Sequence, residues 1–550
     1  TPLIFFTTGI VQAIVTVLYS RPHALTPLHH RESAPRISFP LKRPIERLPY
    51  FFTRSHFTYS LAQGIIANNF LQFSLFKLQE FRQKVLLGRS GGGNLHRADF
   101  PAIPVYTLHT AAFFISIKQS STMKIDTAVV VMDEVTSVLD VIRDLASRPE
   151  QEEAFYVVDL SDVVWKHKQW KMKMPRVEPF YAVKCNDTGP VLEVMAALGS
   201  GFDCASKFEI QKILDMGVNE SRIIYANPCK TASFIKFAAK NNVSLMTFDN
   251  EAELYKVKSL FPEARLVLRI RCDAKAQCPL GVKFGIEPHK AEHLLKVAKE
   301  LNLNVVGVSF HVGSGCQEAN ALGDAIRVSR QIFDLGEAMG FNFNILDIGG
   351  GFPGQKNAPI TLDEVAFVVN EALDQYFPEG CGIRIIAEPG RYYVASAFTL
   401  CVNIIAKRAS CNDMKKDQKQ YMYYVNDGVY GSFNCLLYDH AEVRTIPLKG
   451  YGEGEETYLS SVWGPTCDSL DCILKEVHLP KLNIGDWLVF EDMGAYTVAA
   501  ATTFNGSTLQ HLVGDTADIP SMKTAKNILT ENFADTNMSE AIFAEISVVD

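Results

Sequence analysis

From about residue 154 onward, short apolar runs alternate along the chain with longer amphipathic stretches. Eight of these runs have the length of strands and follow one another after Lys173. Between them, apolar residues recur at helical spacing, as in 207–216, 231–240, 251–260 and 291–301. The eight predicted strands span 180–183, 201–205, 223–226, 245–248, 266–270, 305–312, 345–348 and 383–387.

Strands that alternate with helices form a parallel sheet, and eight such units close into a barrel. The pattern therefore predicts an α/β fold, a (β/α)8 TIM barrel over residues 175–392. The runs 398–406, 421–425, 457–462 and 487–490 are rich in β-branched and aromatic residues and predict a mostly β second domain over 393–504. The segment 123–174, with an early strand at 154–160, joins that domain, and the polar, acidic 505–550 predicts a mobile tail.

The first 122 residues differ from the rest in charge and composition. They carry 13 Lys and Arg against 4 Asp and Glu, and they contain no cysteine and no methionine. Prolines and a Gly91-Gly92-Gly93 run interrupt any sustained periodicity. The apolar stretch near the start is short for a membrane span and lacks a basic flank. We therefore expect no membrane anchor there, and we expect the working protein to begin at Met123.

Composition excludes some classes of function. The net charge of −7 and pI near 6 argue against a nucleic-acid binder, since no general basic excess is present to neutralise phosphates. The 12 cysteines are scattered from Cys185 to Cys472 in a long chain, a pattern typical of reduced thiols in a cytoplasmic enzyme. No metal site is expected. His289 and His293 match the zinc-binding sequence motif H-x-x-E-H, but they fall on a predicted outer helix, away from the strand ends.

The most informative residue is Lys184, at the end of the first barrel strand. A desolvated lysine loses its proton readily and can then attack a carbonyl to form a Schiff base. A TIM barrel carries its site at the C-terminal ends of its strands, and other chemical side chains also fall there. Asp203 lies on strand two, His311 to Gly315 end strand six, the glycines 349–351 end strand seven, and Glu388 to Arg391 end strand eight.

These strand ends together predict a pyridoxal phosphate site. Glycines after strand seven and the Gly390-Arg391 pair after strand eight suit a phosphate group. A buried carboxylate would hold the pyridine nitrogen protonated and make the ring an electron sink. A histidine beside the ring could stack on its face.

Several longer motifs resemble those of the ornithine decarboxylase family of eukaryotes, which are barrel-type pyridoxal-phosphate decarboxylases. The similarity runs from about residue 154 to residue 504. The motifs span 179–186, 311–316, 347–354, 388–393, 463–471 and 492–497.

The resemblance implies a role for each site residue. Lys184 would bind the cofactor, Glu388 would pair with its ring nitrogen, and His311 would stack on the ring. Asp203 and Glu209 would support the lysine. The phosphate would be held by Ser314, Gly351, Gly390, Arg391 and Tyr496. Asp439, beside Tyr438, and Asp468 would bind the distal ammonium of ornithine, and Cys467 would return a proton to the α-carbon.

In this family the groups that match Cys467 and Asp468 come from the neighbouring subunit, so the resemblance also implies a homodimer with shared sites. The implied reaction converts L-ornithine to putrescine and CO2, the first step of polyamine synthesis. Two alternatives stay open: a catalytically inactive protein resembling antizyme inhibitor, and a lysine or arginine decarboxylase. The segment 230–258 resembles the antizyme-binding region, which makes antizyme a possible partner.

Overall fold

The computed structural model describes residues 136–412, 415–450, 452 and 454–506, together with three short strand segments. Those three are β1 (Ala128–Val130) and the later strands His511–Leu512 and Met522–Thr524. After β1 come α1 (Val138–Ser147), β2 (Phe155–Val158) and α2 (Leu160–Lys173). Asp159 caps α2 by accepting a hydrogen bond from the backbone N–H of Ser161 at 2.9 Å.

Ten strands and seven helices follow α2 in alternation. The strands are β3 (Val177–Ala182), β4 (Gly201–Cys204), β5 (Ile223–Tyr225), β6 (Leu245–Phe248), β7 (Arg265–Arg269), β8 (Ala276–Cys278), β9 (Asn304–Ser309), β10 (Ser314–Cys316), β11 (Ile345–Asp347) and β12 (Arg384–Ala387). The helices are α3 (Gly189–Ala197), α4 (Lys207–Asp215), α5 (Ala232–Lys240), α6 (Glu251–Leu260), α7 (Ala291–Glu300), α8 (Asn320–Ala338) and α9 (Leu362–Tyr376).

Eight of the ten strands close into a parallel barrel in the order β11-β12-β3-β4-β5-β6-β7-β9. This confirms the predicted TIM barrel, and each observed barrel strand overlaps its predicted position. The other two strands, β8 and β10, pair with each other in an antiparallel ribbon outside the barrel. They are too short and too polar to show a strand pattern in the sequence.

The inside of the barrel is filled by one buried side chain from each of several strands. Phe180, Ile224, Val267 and Ile386 belong to this apolar cluster. At Gly201 on β4, a Cβ atom would lie 2.5 Å from the Phe180 ring, so the glycine leaves room for that ring. The barrel is therefore a packed core, and only its rim is open to ligands.

Three of the seven outer helices of the barrel, α4, α6 and α9, begin at side-chain caps that the sequence supplies. Asn250 accepts from the N–H of Glu253 at 3.0 Å at the start of α6. Thr361 and Glu364 form a reciprocal capping box at the start of α9. The apolar faces of these helices pack on the outside of the strands, in the larger of the buried clusters.

The chain after the barrel builds a mostly β domain. It contains α10 (Arg391–Val394), β13 (Phe398–Asn412), β14 (Lys415–Val425), α11 (Cys435–Tyr438), β15 (Thr445–Pro447), β16 (Thr457–Trp463), β17 (Cys472–Pro480) and β18 (Trp487–Phe490). The strands form one sheet in the order β15-β18-β13-β14-β16-β17. The early strand β2 pairs antiparallel with β13, which places the segment before the barrel in this sheet.

Parts of the predicted domain division lie outside the described residues. The leader 1–122 is among them, as is most of the tail 505–550. Within the tail, β19 (His511–Leu512) pairs with β2 and β20 (Met522–Thr524) pairs with β1. The domain boundaries and the mobility of the tail stay predictions. Among the described residues, the longest apolar helices fall short of what a membrane crossing requires.

Helix α2 is fastened to the site region by a buried tryptophan and a buried lysine. Trp170 is fully buried, packs its ring 4.7 Å from that of Phe352, and donates from Nε1 to the carbonyl of Val177 at 2.9 Å. Lys166 donates from Nζ to the carbonyl of Gly354 at 3.1 Å. Phe352 and Gly354 lie in the loop after β11, so α2 packs against that loop and stabilises it.

Replacing Trp170 with alanine should lower the free energy of unfolding by about 3–5 kcal/mol, because it leaves a cavity and an unpaired carbonyl. Urea denaturation followed by circular dichroism measures this. The matched control is Trp165→Ala on the same helix, whose side chain is 57% exposed and should change stability by less than about 0.5 kcal/mol. Equal effects of the two substitutions would contradict the packing role of Trp170.

Candidate active site

Lys184 lies in a single 3-10 turn, Val183–Cys185, directly after β3. Its Nζ forms an ion pair with Oδ2 of Asp203, which lies on the neighbouring strand β4. Asp203 is fully buried, whereas the lysine side chain remains 37% exposed at the rim. The prediction that these two residues lie together agrees with this geometry.

The protonation state of Lys184 is set by its neighbours. Burial opposes the charge, but the carboxylates of Asp203 and Glu388 outweigh burial and raise the pKa of Lys184 above its usual value. In the protein without a bound cofactor, the amine of Lys184 is therefore positively charged. Glu209, which accepts from the N–H of Ala205 at 2.6 Å, is a further carboxylate close enough to interact with Lys184.

Two carboxyl groups interact electrostatically at the ends of β11 and β12. They belong to Asp347, the last residue of β11, and Glu388, one residue beyond β12. Burial raises the pKa of Asp347 to about 7, and it raises the pKa of Glu388 well above its usual value. The pair therefore holds a proton at neutral pH.

Asp347 is a site residue that the sequence analysis did not single out, although it opens one of the motifs. Its Oδ1 accepts from the N–H of Gly349 at 2.9 Å. Arg269, the last residue of β7, was also missed, and it interacts electrostatically with both Asp347 and Glu388. Both lie at the ends of barrel strands, which is the signal that could have found them.

His311 follows β9 and carries a neutral imidazole. Burial, together with the positive charges of Arg269 and Lys184, lowers the pKa of His311 well below its usual value. The N–H of Gly313 donates to Nδ1 at 3.0 Å, so the ring proton lies on Nε2. A Cβ at Gly350 would come within 2.7 Å of that Nε2, which shows how closely the glycine loop approaches the ring.

The glycine loop after β11 also packs backbone against backbone. Gly351 has φ +111° and a Cβ there would lie 2.7 Å from the carbonyl oxygen of Gly313. Only glycine fits both the conformation and the space. The backbones of the loops after β9 and β11 thus lie in close contact, and we call this pair of loops the glycine cradle.

Arg391, the first residue of α10, is the centre of a buried ion pair. It donates from Nη1 to Oδ2 of Asp439 at 2.9 Å and from Nη2 to Oδ1 at 2.7 Å. Nη2 also donates to the hydroxyl of Ser314 at 2.8 Å, and the guanidinium lies 5.1 Å from the ring centre of Tyr496. Arg391, Ser314 and Tyr496, which were predicted to hold the phosphate, therefore lie together, and Asp439, which was predicted to bind the substrate ammonium, pairs with Arg391 in the same cluster. At Gly390, directly before Arg391, a Cβ would lie 2.8 Å from that of Cys185.

Three buried polar atoms at this rim have no hydrogen-bond partner among the described residues: Oδ1 of Asp203, Oδ2 of Asp347 and Nε of Arg391. A buried polar atom without a partner is costly and calls for a ligand. The carboxyl pair suits a pyridine nitrogen, the lysine suits an aldehyde, and the arginine with the glycine cradle suits a phosphate. The residues present fit pyridoxal phosphate.

Three predicted site residues stand apart from this group. Cys467 is exposed, and Asp468 forms a hydrogen bond with the hydroxyl of Tyr430 in the β domain. Among the described contacts, neither Cys467 nor Asp468 touches Lys184, Glu388 or Arg391. Tyr438 ends α11 beside Asp439, with its side chain 68% exposed.

Comparison with known proteins places the chain in a family. A family model described as "Pyridoxal-dependent decarboxylase, pyridoxal binding domain" matches residues 160–395, which include the whole barrel. Ornithine decarboxylase of Mus musculus is 53% identical over 377 residues, which are 67% of this chain and 82% of that protein. The chain belongs to this family. The pyridoxal-binding domain makes pyridoxal phosphate its cofactor, in agreement with the prediction.

Two further proteins similar to this pyridoxal-dependent decarboxylase carry different names, antizyme inhibitor and arginine decarboxylase. Antizyme inhibitor 2 of Xenopus laevis is 54% identical over 366 residues, 66% of this chain and 80% of that protein. The crystal structure of the arginine decarboxylase of Paramecium bursaria Chlorella virus superposes with a TM-score of 0.64 at 37% identity. That superposition covers 67% of this chain and 98% of the viral chain.

Replacing Asp203 with asparagine should lower the pKa of Lys184, because it removes a carboxylate whose charge opposes the effect of burial. The pH profile of Lys184 alkylation by a small aldehyde and borohydride, located by peptide mass spectrometry, measures the shift. Asp187→Asn is the matched control, since Asp187 pairs with Lys212 at 2.8 Å and not with Lys184. Superimposable profiles of Asp203→Asn and the unmodified protein would refute the electrostatic coupling.

Proposed function

We propose that this protein catalyses the pyridoxal-phosphate-dependent decarboxylation of L-ornithine to putrescine and CO2, the first step of polyamine synthesis. The observation that carries the proposal is the convergence of Lys184, the Asp347–Glu388 carboxyl pair and Arg391 on one rim of the barrel. The identity to several eukaryotic ornithine decarboxylases supports the choice of ornithine.

Each group at the rim has a task in this reaction. Lys184 would hold the cofactor through its Nζ. When bound, pyridoxal phosphate would supply the electron sink for loss of CO2 from the substrate. The Asp347–Glu388 pair would keep the ring nitrogen protonated, and the neutral His311 would stack on the ring. Arg391, Ser314 and the amides of the glycine cradle hold the phosphate.

Selection of a diamino acid rests on carboxylates at the far end of the site. Asp439 is 4% exposed, and an amino acid without a distal ammonium would leave its charge less well compensated. Asp439 already pairs with Arg391, so a substrate without the ammonium would forgo an additional charge-assisted hydrogen bond and would bind more weakly. Asp468 would add a second carboxylate from the partner subunit.

We further propose a cytoplasmic homodimer with shared sites. Cys467 and Asp468 lie on a loop of the β domain that makes none of the described contacts with the Lys184 rim of the same chain, which supports their delivery from the partner. There the thiol of Cys467 would return a proton to the α-carbon. The eleven cysteines whose surroundings are described are all free thiols, which supports a reducing compartment.

The similarity to antizyme inhibitor 2 supports a second candidate function, a binding protein without activity. The complete set of Lys184, Asp203, His311, Glu388 and Arg391 at one rim favours the enzyme, because a binding role does not need them. Antizyme remains a proposed partner for the segment 230–258, which comprises the outer helix α5, the barrel strand β6 and most of the outer helix α6. The similarity to a viral arginine decarboxylase keeps arginine and lysine as alternative substrates.

The holoenzyme should release CO2 from ornithine faster than from lysine or arginine, because the distal carboxylates fix the length of the substrate. Trapping of labelled CO2 from each carboxyl-labelled amino acid measures the rates. Lys184→Ala is the control for background release. Cofactor binding without release from any of the three amino acids would favour the antizyme-inhibitor-like function, and a preference for lysine or arginine would change the substrate.

Mixing Lys184→Ala subunits with Cys467→Ala subunits should restore activity if sites are shared, since each mixed dimer contains one site with both native residues. Random exchange of equal amounts predicts about a quarter of the native activity. Each variant alone is the control. Failure to regain activity, with mixed dimers confirmed by native mass spectrometry, would argue against shared sites.

A further inference from the structure

The antiparallel ribbon of β8 and β10 contacts Asp439 of the β domain through Gln277 and Cys278. Gln277 is the central residue of β8, and its Nε2 donates to the carbonyl oxygen of Asp439 at 2.5 Å and to Oδ2 of Asp439 at 3.0 Å. A single amide therefore fixes both the main chain and the side chain of Asp439.

The two oxygens of the Asp439 carboxylate differ in the number of N–H groups from which they accept hydrogen bonds. Oδ2 accepts two N–H groups, one from Arg391 at 2.9 Å and one from Gln277 at 3.0 Å. Oδ1 accepts one N–H, from Arg391 at 2.7 Å. Among the described residues, its other contact is with the thiol of Cys278 at 3.5 Å. Since a carboxylate oxygen accepts about two hydrogen bonds, Oδ2 is saturated and Oδ1 keeps a strong acceptor position.

We propose that Gln277 is a specificity-determining positioning residue, which reserves Oδ1 of Asp439 for the distal ammonium of a diamino acid. This inference rests on the proposed function, in which Asp439 binds that ammonium. The ammonium takes the position of the Cys278 thiol contact, which is a weak one.

A neutral amide is suited to this task. It saturates one oxygen without adding a positive charge that would compete with the substrate ammonium or a negative charge that would repel Asp439. The neighbouring strand leaves room for it, because a Cβ at Gly315 would lie 2.9 Å from both Cβ and Oε1 of Gln277. Burial and the charge of Asp439 raise the pKa of Cys278 to about 11, so the thiol is neutral too.

Fixing one acceptor oxygen also fixes the length of substrate that fits. Without the Gln277 donor, Oδ2 would keep only its bond from Arg391, and the ammonium could bind to either oxygen of the carboxylate. A substrate with one more methylene group would then be accommodated better, whereas ornithine would lose the preorganised acceptor. Gln277 should therefore influence the choice between ornithine and lysine more than the rate of the chemical step.

The test compares Gln277→Met with native holoenzyme. Methionine keeps the length and the apolar stem but cannot donate. We expect the ratio of kcat/KM for ornithine to kcat/KM for lysine to fall about tenfold, the loss of one hydrogen bond to a charged group, with kcat for ornithine changed less than about twofold. Gln211→Met is the matched control, because Gln211 is exposed on α4 and bonds only Asp215.

A second readout does not depend on turnover. Calorimetric titration of the holoenzyme with putrescine and with cadaverine should show the same loss of discrimination in Gln277→Met and none in Gln211→Met. Gln277→Asn, which keeps the amide but shortens its reach, should reproduce the effect and serves as the test if the methionine variant does not fold.

The outcomes separate this inference from the proposed function. A native enzyme that decarboxylates neither diamino acid would overturn both. A native enzyme with the expected ornithine preference whose discrimination is unchanged in Gln277→Met and Gln277→Asn would overturn only the role of Gln277. Equal losses in Gln277→Met and Gln211→Met would likewise exclude a specific role.

Discussion

The structure of the site depends on the burial of three carboxyl groups within one rim. Asp203 and Asp347 are completely buried and Glu388 is nearly so, and burial, with added repulsion from the neighbouring carboxylates, raises the pKa of Asp347 and Glu388. Two cations, Lys184 and Arg269, oppose that repulsion. Buried like charges are tolerated only where a counter-charge or a proton balances them. The lysine is thus part of the balance that holds the rim together, as well as its reactive group.

Arg391 links the two ends of the site. It contacts Ser314, which belongs to the proposed phosphate site, and Asp439, which belongs to the proposed substrate site. Any ligand that binds the guanidinium at Nη2 changes the surroundings of Asp439, because that nitrogen donates to both Ser314 and Asp439. The presence of Gln277 gives that carboxylate a second donor that is independent of the phosphate.

The barrel could be predicted from the sequence, because short apolar runs indicate strands directly and apolar residues at helical spacing indicate helices. The sequence was also sufficient for Lys184, Asp203 and Glu388, because a parallel barrel sends all its strand ends to one face. It did not reveal β8 and β10, which have three residues each and no apolar alternation. It did not reveal the contact of Gln277 with Asp439 either, since the two are 162 positions apart and no local pattern records such a pairing.

The sheet of the β domain draws β2 from before the barrel and β13 from after it. During synthesis the barrel strands leave the ribosome between these two partners, so the barrel can fold while β2 still lacks a neighbour. The sheet is complete only when β18 has paired with β13 and β19 has paired with β2. Its contacts span most of the described chain, and long-range pairing of this kind is typical of slow folding.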